Sequence, residues 1–177
     1  MLNAIGLQNP GVDHVIAQIL PALDFTETRF IANVCGSTIE DYIEVTRRFD
    51  DSPIDAIEVN ISCPNIKEGG VQFGNYPQMS GRVTAACRAA TKKPLIVKLS
   101  PNQTDIRENA RYCIEAGADA LAVINTVTGM APSCICTFCF SPVSSVTDGA
   151  IYSTSSRRYW SPLYWRRFLD LCLFRKN

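Results

Sequence analysis

From residue 12 to residue 125 the chain alternates helix-type and strand-type segments without a break, and no other feature limits its possible folds so sharply. Residues 12–23 carry apolar side chains at helical intervals after the turn-forming Asn9-Pro10-Gly11. Residues 30–34 are a short β-rich run. Ser37, with Glu40 three positions on, then reads as the N-cap of a capping box opening a helix that runs to about Phe49. The cycle repeats with a strand over 55–62, a loop rich in Gly, Pro and Asn, and a helix over 77–91 showing Met79, Val83, Ala86 and Ala90 on one face. Residues 94–99 are almost wholly apolar, as expected of a strand buried on both sides. A helix over 105–116, closed by Gly117, leads to a last strand over 119–125.

Strict alternation of this kind implies a parallel sheet with helical crossovers. Four such strands fit either half of a TIM barrel or the centre of a doubly wound sheet. The polar residues at the strand ends favour the barrel. Asn33, Asn60, Lys98 and Asn125 each stand at or near the C-terminal end of a different strand. A barrel gathers those ends into one mouth, whereas an open sheet builds its site at a single switch point. The expected fold is therefore α/β, a partial TIM (β/α)8 barrel of about four central βα units over residues 1–130.

After Met130 the character changes. Residues 131–177 crowd together Cys, Ser, aromatic and Arg residues, and no βα cycle continues. Residues 163–174 have helical potential, but Arg166-Arg167 and Arg175-Lys176 leave no clean apolar face. This atypical C-terminal tail is expected to be divergent, the product of a shifted reading frame or disordered. Seventeen basic residues balance seventeen acidic ones, so no nucleic-acid or acidic-membrane partner is indicated. With no signal-peptide pattern and no long apolar run, a soluble cytoplasmic protein is expected. Of the eight cysteines, Cys35, Cys87 and Cys113 sit in apolar segments and read as structural. Cys134, Cys136 and Cys139 form a C-x-C-x-x-C run, but no fourth ligand follows and His14 is the only histidine. No metal site is expected.

The segment richest in chemistry is Asn60-Ile61-Ser62-Cys63-Pro64-Asn65, which leaves a strand and enters a loop. Pro64 holds the preceding residue extended. Two amides, each both donor and acceptor, suit a planar ligand with amide-like edges. A cysteine at a strand's C-terminal end can serve as base or nucleophile where its surroundings favour the thiolate. Equally, the amides of such a loop can cap turns while its cysteine is simply buried.

This hexapeptide, with Lys67-Glu68-Gly69-Gly70 beyond it, resembles the active-site strand and loop of class 1B dihydroorotate dehydrogenases, the NAD-linked, FMN-containing class. The resemblance extends to residues 3–11, to 31–37 with Cys35 where Ala is usual, to 96–102 and to 123–126, covering residues 1 to about 131. It implies FMN-dependent oxidation of dihydroorotate to orotate, with Cys63 as the base. Asn3, the backbone of Ala4, Ile5, Gly6 and Leu7, and Asn60, Asn65, Asn125 and Thr126 would contact substrate. Asn33, Asn60, Lys98 and Ile124 would contact FMN. Lys98 is costly to bury without an anionic partner, and a flavin made anionic by reduction would supply one. The same resemblance implies homodimerisation and an electron-transfer subunit carrying FAD and a [2Fe–2S] cluster.

Family members are longer at both ends. The first strands, with an FMN-contacting lysine, would precede residue 1, and the strands gripping the FMN phosphate would follow Met130. The expectation is thus a partial chain with open strand edges, either catalytic when completed or a non-catalytic remnant or interaction protein.

Overall fold

The computed structural model describes residues 9–62, 70–125, 127–132, 140–145, 150–153 and 171–173. The chain opens helically, with α1 (Val12–His14), a π-helical turn over Val15–Ile19 and a 3-10 turn over Leu20–Ala22. One continuous helix was expected here. Pro21, without an N–H, cannot extend the α ladder, and the stretch ends in the tighter turn. Then follow β1 (Ile31–Val34), α2 (Ile39–Asp50), β2 (Ala56–Asn60), α3 (Gly70–Asn75), α4 (Pro77–Ala90), β3 (Leu95–Lys98), α5 (Ile106–Glu115) and β4 (Ala120–Val123).

Local chemistry accounts for most of these boundaries. The cap of α2 is Thr38, one residue later than expected. Its hydroxyl accepts from the Asp41 N–H at 3.1 Å, and the Asp41 carboxylate accepts from the N–H groups of Thr38 and Ser37. Asp41 at the third helical position reaches back to the cap, which Glu40 at the second does not. Asp105 caps α5 by accepting from the Arg107 N–H. Gly117 follows that helix with φ +101°, the left-handed conformation that closes a helix at least cost in glycine. The short helix α3 was not foreseen in the Gly-rich loop.

Helix α4 buries Ser80, Gly81, Val83, Thr84 and Cys87, whereas Met79, Ala86 and Ala90 are only half-buried. Small polar side chains can turn inward because their hydroxyls are satisfied. Ser80 donates to the Phe73 carbonyl at 2.8 Å, and Thr84 to the Ser80 carbonyl at 2.7 Å.

Strands β1 to β4 pair in sequence order, all parallel. Their side chains alternate between two unlike faces. Ala32, Val34, Ile57, Val59, Leu95, Val97 and Leu121 pack with Tyr42, Val45 and Phe49 of α2, Val83 and Cys87 of α4, and Cys113 of α5. Burial of each large apolar side chain in this cluster is worth about 1.5–3 kcal/mol. The opposite face is a small separate cluster of Ala56, Ile96, Ala120 and Ala122, with Ile31 against it. A doubly wound sheet needs helices on both faces, but α2, α4 and α5 all pack on one. The four βα units are therefore a section of a TIM barrel, with the alanine-rich face turned inward.

The tail supplies strands that the sequence did not announce. β5 (Val127–Pro132) and β6 (Phe140–Ser145) form an antiparallel hairpin. β7 (Ala150–Ser153) lies antiparallel on β4, and β8 (Leu171–Leu173) lies parallel on β1. Both edges of the four-stranded sheet, expected to be open, are thus covered. Leu171–Leu173 is strand rather than helix because the edge of β1 offers unpaired backbone groups to this apolar triplet. Among the described residues no helix is long and apolar enough to cross a membrane.

Candidate functional site

The side-chain period of two decides what enters the barrel mouth. Glu58 and Asn60 lie on the inward parity of β2, as do Asn33 on β1 and Lys98 on β3. In register, Asn33 stands opposite Glu58 and Asn60 opposite Lys98. Asn33, Glu58 and Asn60 are buried, and Lys98 is half-buried at the rim. Beside Lys98 in register is Ala122, which keeps the inner wall low there.

Hydrogen bonds link these residues across the strands. The Asn33 amide donates to Glu58 Oε1, and the Asn60 amide donates to Asn33 Oδ1 at 3.4 Å. Asn60 Oδ1 accepts from the N–H and the hydroxyl of Ser62, at 3.2 and 3.0 Å. From beyond β4, Asn125 Nδ2 donates to the Ser62 carbonyl at 3.0 Å and to its hydroxyl oxygen at 2.8 Å. The Asn125 N–H is in turn held by the Leu99 carbonyl at 3.0 Å. The residue immediately before Cys63 is thus tied to both β2 and the loop after β4. Behind β2, the Tyr42 hydroxyl donates to the Asn60 carbonyl at 2.8 Å, and Phe73 packs edge-on against the Tyr42 ring.

Of the residues singled out in the sequence, Asn33, Asn60, Lys98 and Asn125 converge on this mouth, and Ile124 follows β4 half-buried beside Asn125. Cys63, Asn65, Thr126, Asn3, Ala4, Ile5, Gly6 and Leu7 lie outside the described residues. Two residues of the site escaped the sequence reading. Tyr42 carries no signal in the sequence that sets it apart from the other residues of α2. Glu58 carried a signal that went unused: an acid inside an apolar strand, two residues before Asn60, must share its face. The Lys98 ammonium lies 3.9 Å from Glu58 Oε1 and so also has an anionic partner within the protein.

The cysteines away from the mouth behave as structural groups. Burial pushes the Cys87 thiol up to about 12 and the Cys113 thiol up to about 11, and both lie among the helices. Cys35, also buried, places its Sγ 3.6 Å from Asn33 Oδ1. Among the described residues no group of three or more His, Cys, Asp or Glu could hold a metal; Cys134, Cys136 and Cys139 lie outside them. The basic helix ends make ties within the protein. Arg48 pairs with Asp13 and Glu44, Thr91 bonds Asp50, and Lys93 donates to the carbonyls of Ser52 and Ile54. Thr91 and Lys93 stand at the opposite end of the strands from the mouth, the face that serves barrel stability.

At this mouth, amide donors and acceptors lie beside a Lys98–Glu58 pair, a set suited to a planar, polar-edged ligand. The family model for dihydroorotate dehydrogenase matches residues 1–151. The chain is 58% identical over 132 residues to the "Dihydroorotate dehydrogenase B (NAD(+)), catalytic subunit" of Pelobacter propionicus, covering 74% of this chain and 43% of that one. It is 57% identical over 131 residues to the protein of the same name from Exiguobacterium sibiricum, covering 73% and 42%. With the "Putative dihydroorotate dehydrogenase A (fumarate)" of Aquifex aeolicus it shares 52% identity over 131 residues, covering 73% and 43%. The chain spans a little under half the length of these curated relatives.

Proposed function

The chain belongs to the dihydroorotate dehydrogenase family, and from that membership we propose that its barrel mouth binds dihydroorotate beside FMN and takes part in oxidising it to orotate, a step of pyrimidine (UMP) biosynthesis. The observation that carries this reading is that Asn60 and Asn125 both bond Ser62, the residue that precedes Cys63, while Asn33 bonds Asn60 and Lys98 stands beside Asn60 in register.

The residues present fit a flavin. Buried amides of Asn33 and Asn60 offer directed hydrogen bonds, and the half-buried Lys98 ammonium offers a fixed positive charge at the rim. Asn33, Asn60, Lys98 and Ile124 would hold the FMN ring, which when bound supplies the hydride acceptor that the protein lacks. Cys63 is the base that takes the proton from C5 of the substrate. Asn60 would contact both ligands. Asn125, Thr126, Asn65, Asn3 and the backbone of residues 4–7 hold the ring and carboxylate of the substrate. Asn125 holds Ser62 just beyond the end of β2, the residue that precedes Cys63 in sequence.

The loop resemblance and the names of the relatives from Pelobacter propionicus and Exiguobacterium sibiricum favour the NAD-linked class. Reducing equivalents would then pass to an electron-transfer subunit carrying FAD and a [2Fe–2S] cluster, in a homodimeric, cytoplasmic assembly. The test is a visible spectrum of the purified chain with FMN, before and after anaerobic dihydroorotate. Bleaching of the bound-flavin band, lost in Cys63→Ala, is the expected result. A chain that binds no flavin would overturn the reading and favour a remnant that keeps the fold without catalysis.

A further inference from the structure

We propose that Glu58 is a positioning residue of the mouth. Its buried carboxylate anchors Lys98 and sets the direction of the amide chain that runs from β1 to Ser62. This deepens the functional reading above and rests on it for its relevance to the flavin.

An ionised carboxylate only accepts hydrogen bonds. Glu58 is 3% exposed, so a charge there needs partners inside the protein. Among its partners are the Lys98 ammonium at 3.9 Å and the Asn33 amide, which donates to Oε1. An Asn side chain has a donor end and an acceptor end, and its orientation is decided by its neighbours. Facing an obligate acceptor, Asn33 must turn its NH2 toward Glu58 and its Oδ1 away. That oxygen then accepts from the Asn60 amide, which leaves Asn60 Oδ1 to receive the Ser62 N–H and hydroxyl. The Ser62 oxygen, its proton committed to Asn60, is free to accept from Asn125 Nδ2. One acceptor-only group thus orients Asn33, and through it Asn60 in the sense that the Ser62 N–H also requires, in a chain that runs from β1 and β2 to the residue before Cys63. The same carboxylate holds the ammonium of Lys98 at the rim.

Glu58→Gln tests both parts, because Gln nearly preserves shape while removing the charge and adding a donor. Two readouts are taken on the flavin-free chain. Acylation of Lys98, mapped by mass spectrometry against exposed Lys92, is expected to quicken by roughly tenfold once the partner ion is lost. Protection of the Asn33 and Asn60 side-chain amide protons, measured by NMR, is expected to vanish. A third readout, FMN titration by fluorescence, is expected to show about tenfold weaker binding. A folded Glu58→Gln chain in which Lys98 acylation and the amide protection are unchanged overturns the proposal. If that variant does not fold, the wild-type chain decides. Asn33 and Asn60 amides exchanging as fast as exposed Gln78, with Lys98 acylated as fast as Lys92, overturns it; slow exchange with slow acylation upholds it. A wild-type chain that binds no FMN yet passes the first two readouts removes the functional reading while leaving Glu58's positioning role intact.

Discussion

Replacing Gly74 by alanine should destabilise this chain, although alanine in a helix ordinarily does the reverse. Gly74 lies in α3, and an added Cβ would stand 2.5 Å from the Ile61 carbonyl oxygen and 3.3 Å from its carbon. Ordinary C···O contact begins near ~3.3 Å, so something must move by roughly 0.8 Å. The strand end resists movement. The Asn60 carbonyl is held by Tyr42, and Ser62 is held by Asn60 and Asn125. If the helix moves instead, the Gly74 carbonyl leaves the buried Asn109 amide, which donates to it at 2.7 Å. Overpacking costs about 1–3 kcal/mol and the lost hydrogen bond about 1 kcal/mol, against a propensity gain of at most about 1 kcal/mol. The net is a loss of about 1–3 kcal/mol, or roughly 3–10 °C in Tm for a chain of this size. Urea and thermal unfolding followed by circular dichroism measure it. Gly81→Ala is the control, since its Cβ would meet Tyr112 only at 3.4 Å, and it should be neutral or stabilising by up to about 1 kcal/mol. If Gly74→Ala proves as stable as wild type, the close approach of α3 to the end of β2 is refuted.

Two further predictions concern pH. The hydroxyl of Thr91, and then the N–H of Lys92, hold the Asp50 carboxyl below its ordinary value, tying the end of α2 to the turn before β3. A folded value below the unfolded one stabilises fully above ~3.9 and is lost as pH falls through the folded value. Asp50→Asn should therefore cost about 1 kcal/mol at pH 7, a cost that shrinks as pH falls below ~3.9; a constant gap between the two unfolding curves would refute it. Cys87 and Cys113 shift the other way, burial pushing their thiols up to about 12 and about 11. Their contribution is complete below the unfolded value of ~8.5 and declines as pH rises toward the folded values. The urea-midpoint advantage of wild type over a Cys87→Ala chain should shrink from pH 8 to pH 10, and an undiminished advantage would count against a buried neutral thiol.

The four βα units were readable because their signals are local. Apolar runs such as residues 94–99 mark buried strands, Gly117 closes a helix, and polar residues recur where each strand stops. The boundary errors have local causes too, in Asp41 outcompeting Glu40 for the cap and Pro21 breaking the first helix. What stayed hidden in α4 was which polar side chains turn inward. Ser80 and Thr84 are buried with their hydroxyls on carbonyls, one in α3 and one a turn back in α4 itself, and side-chain polarity alone announces neither. The strands of the tail were equally unreadable. β8 pairs with β1 across almost the whole chain, and its three residues carry no signal of their own.

By itself the sequence determined the order and type of the βα units, the polar residues at their ends and the family to which the chain belongs. Each of these depends on neighbours within a few positions, or on motifs that survive as written letters. Only the tertiary structure decided that α2, α4 and α5 cover one face of the sheet, leaving the other as a barrel interior. It also decided that Glu58 faces Asn33 and Lys98. Those contacts join residues 25 and 40 positions apart, and they follow from strand register, which is set by the packing of the whole sheet against its helices.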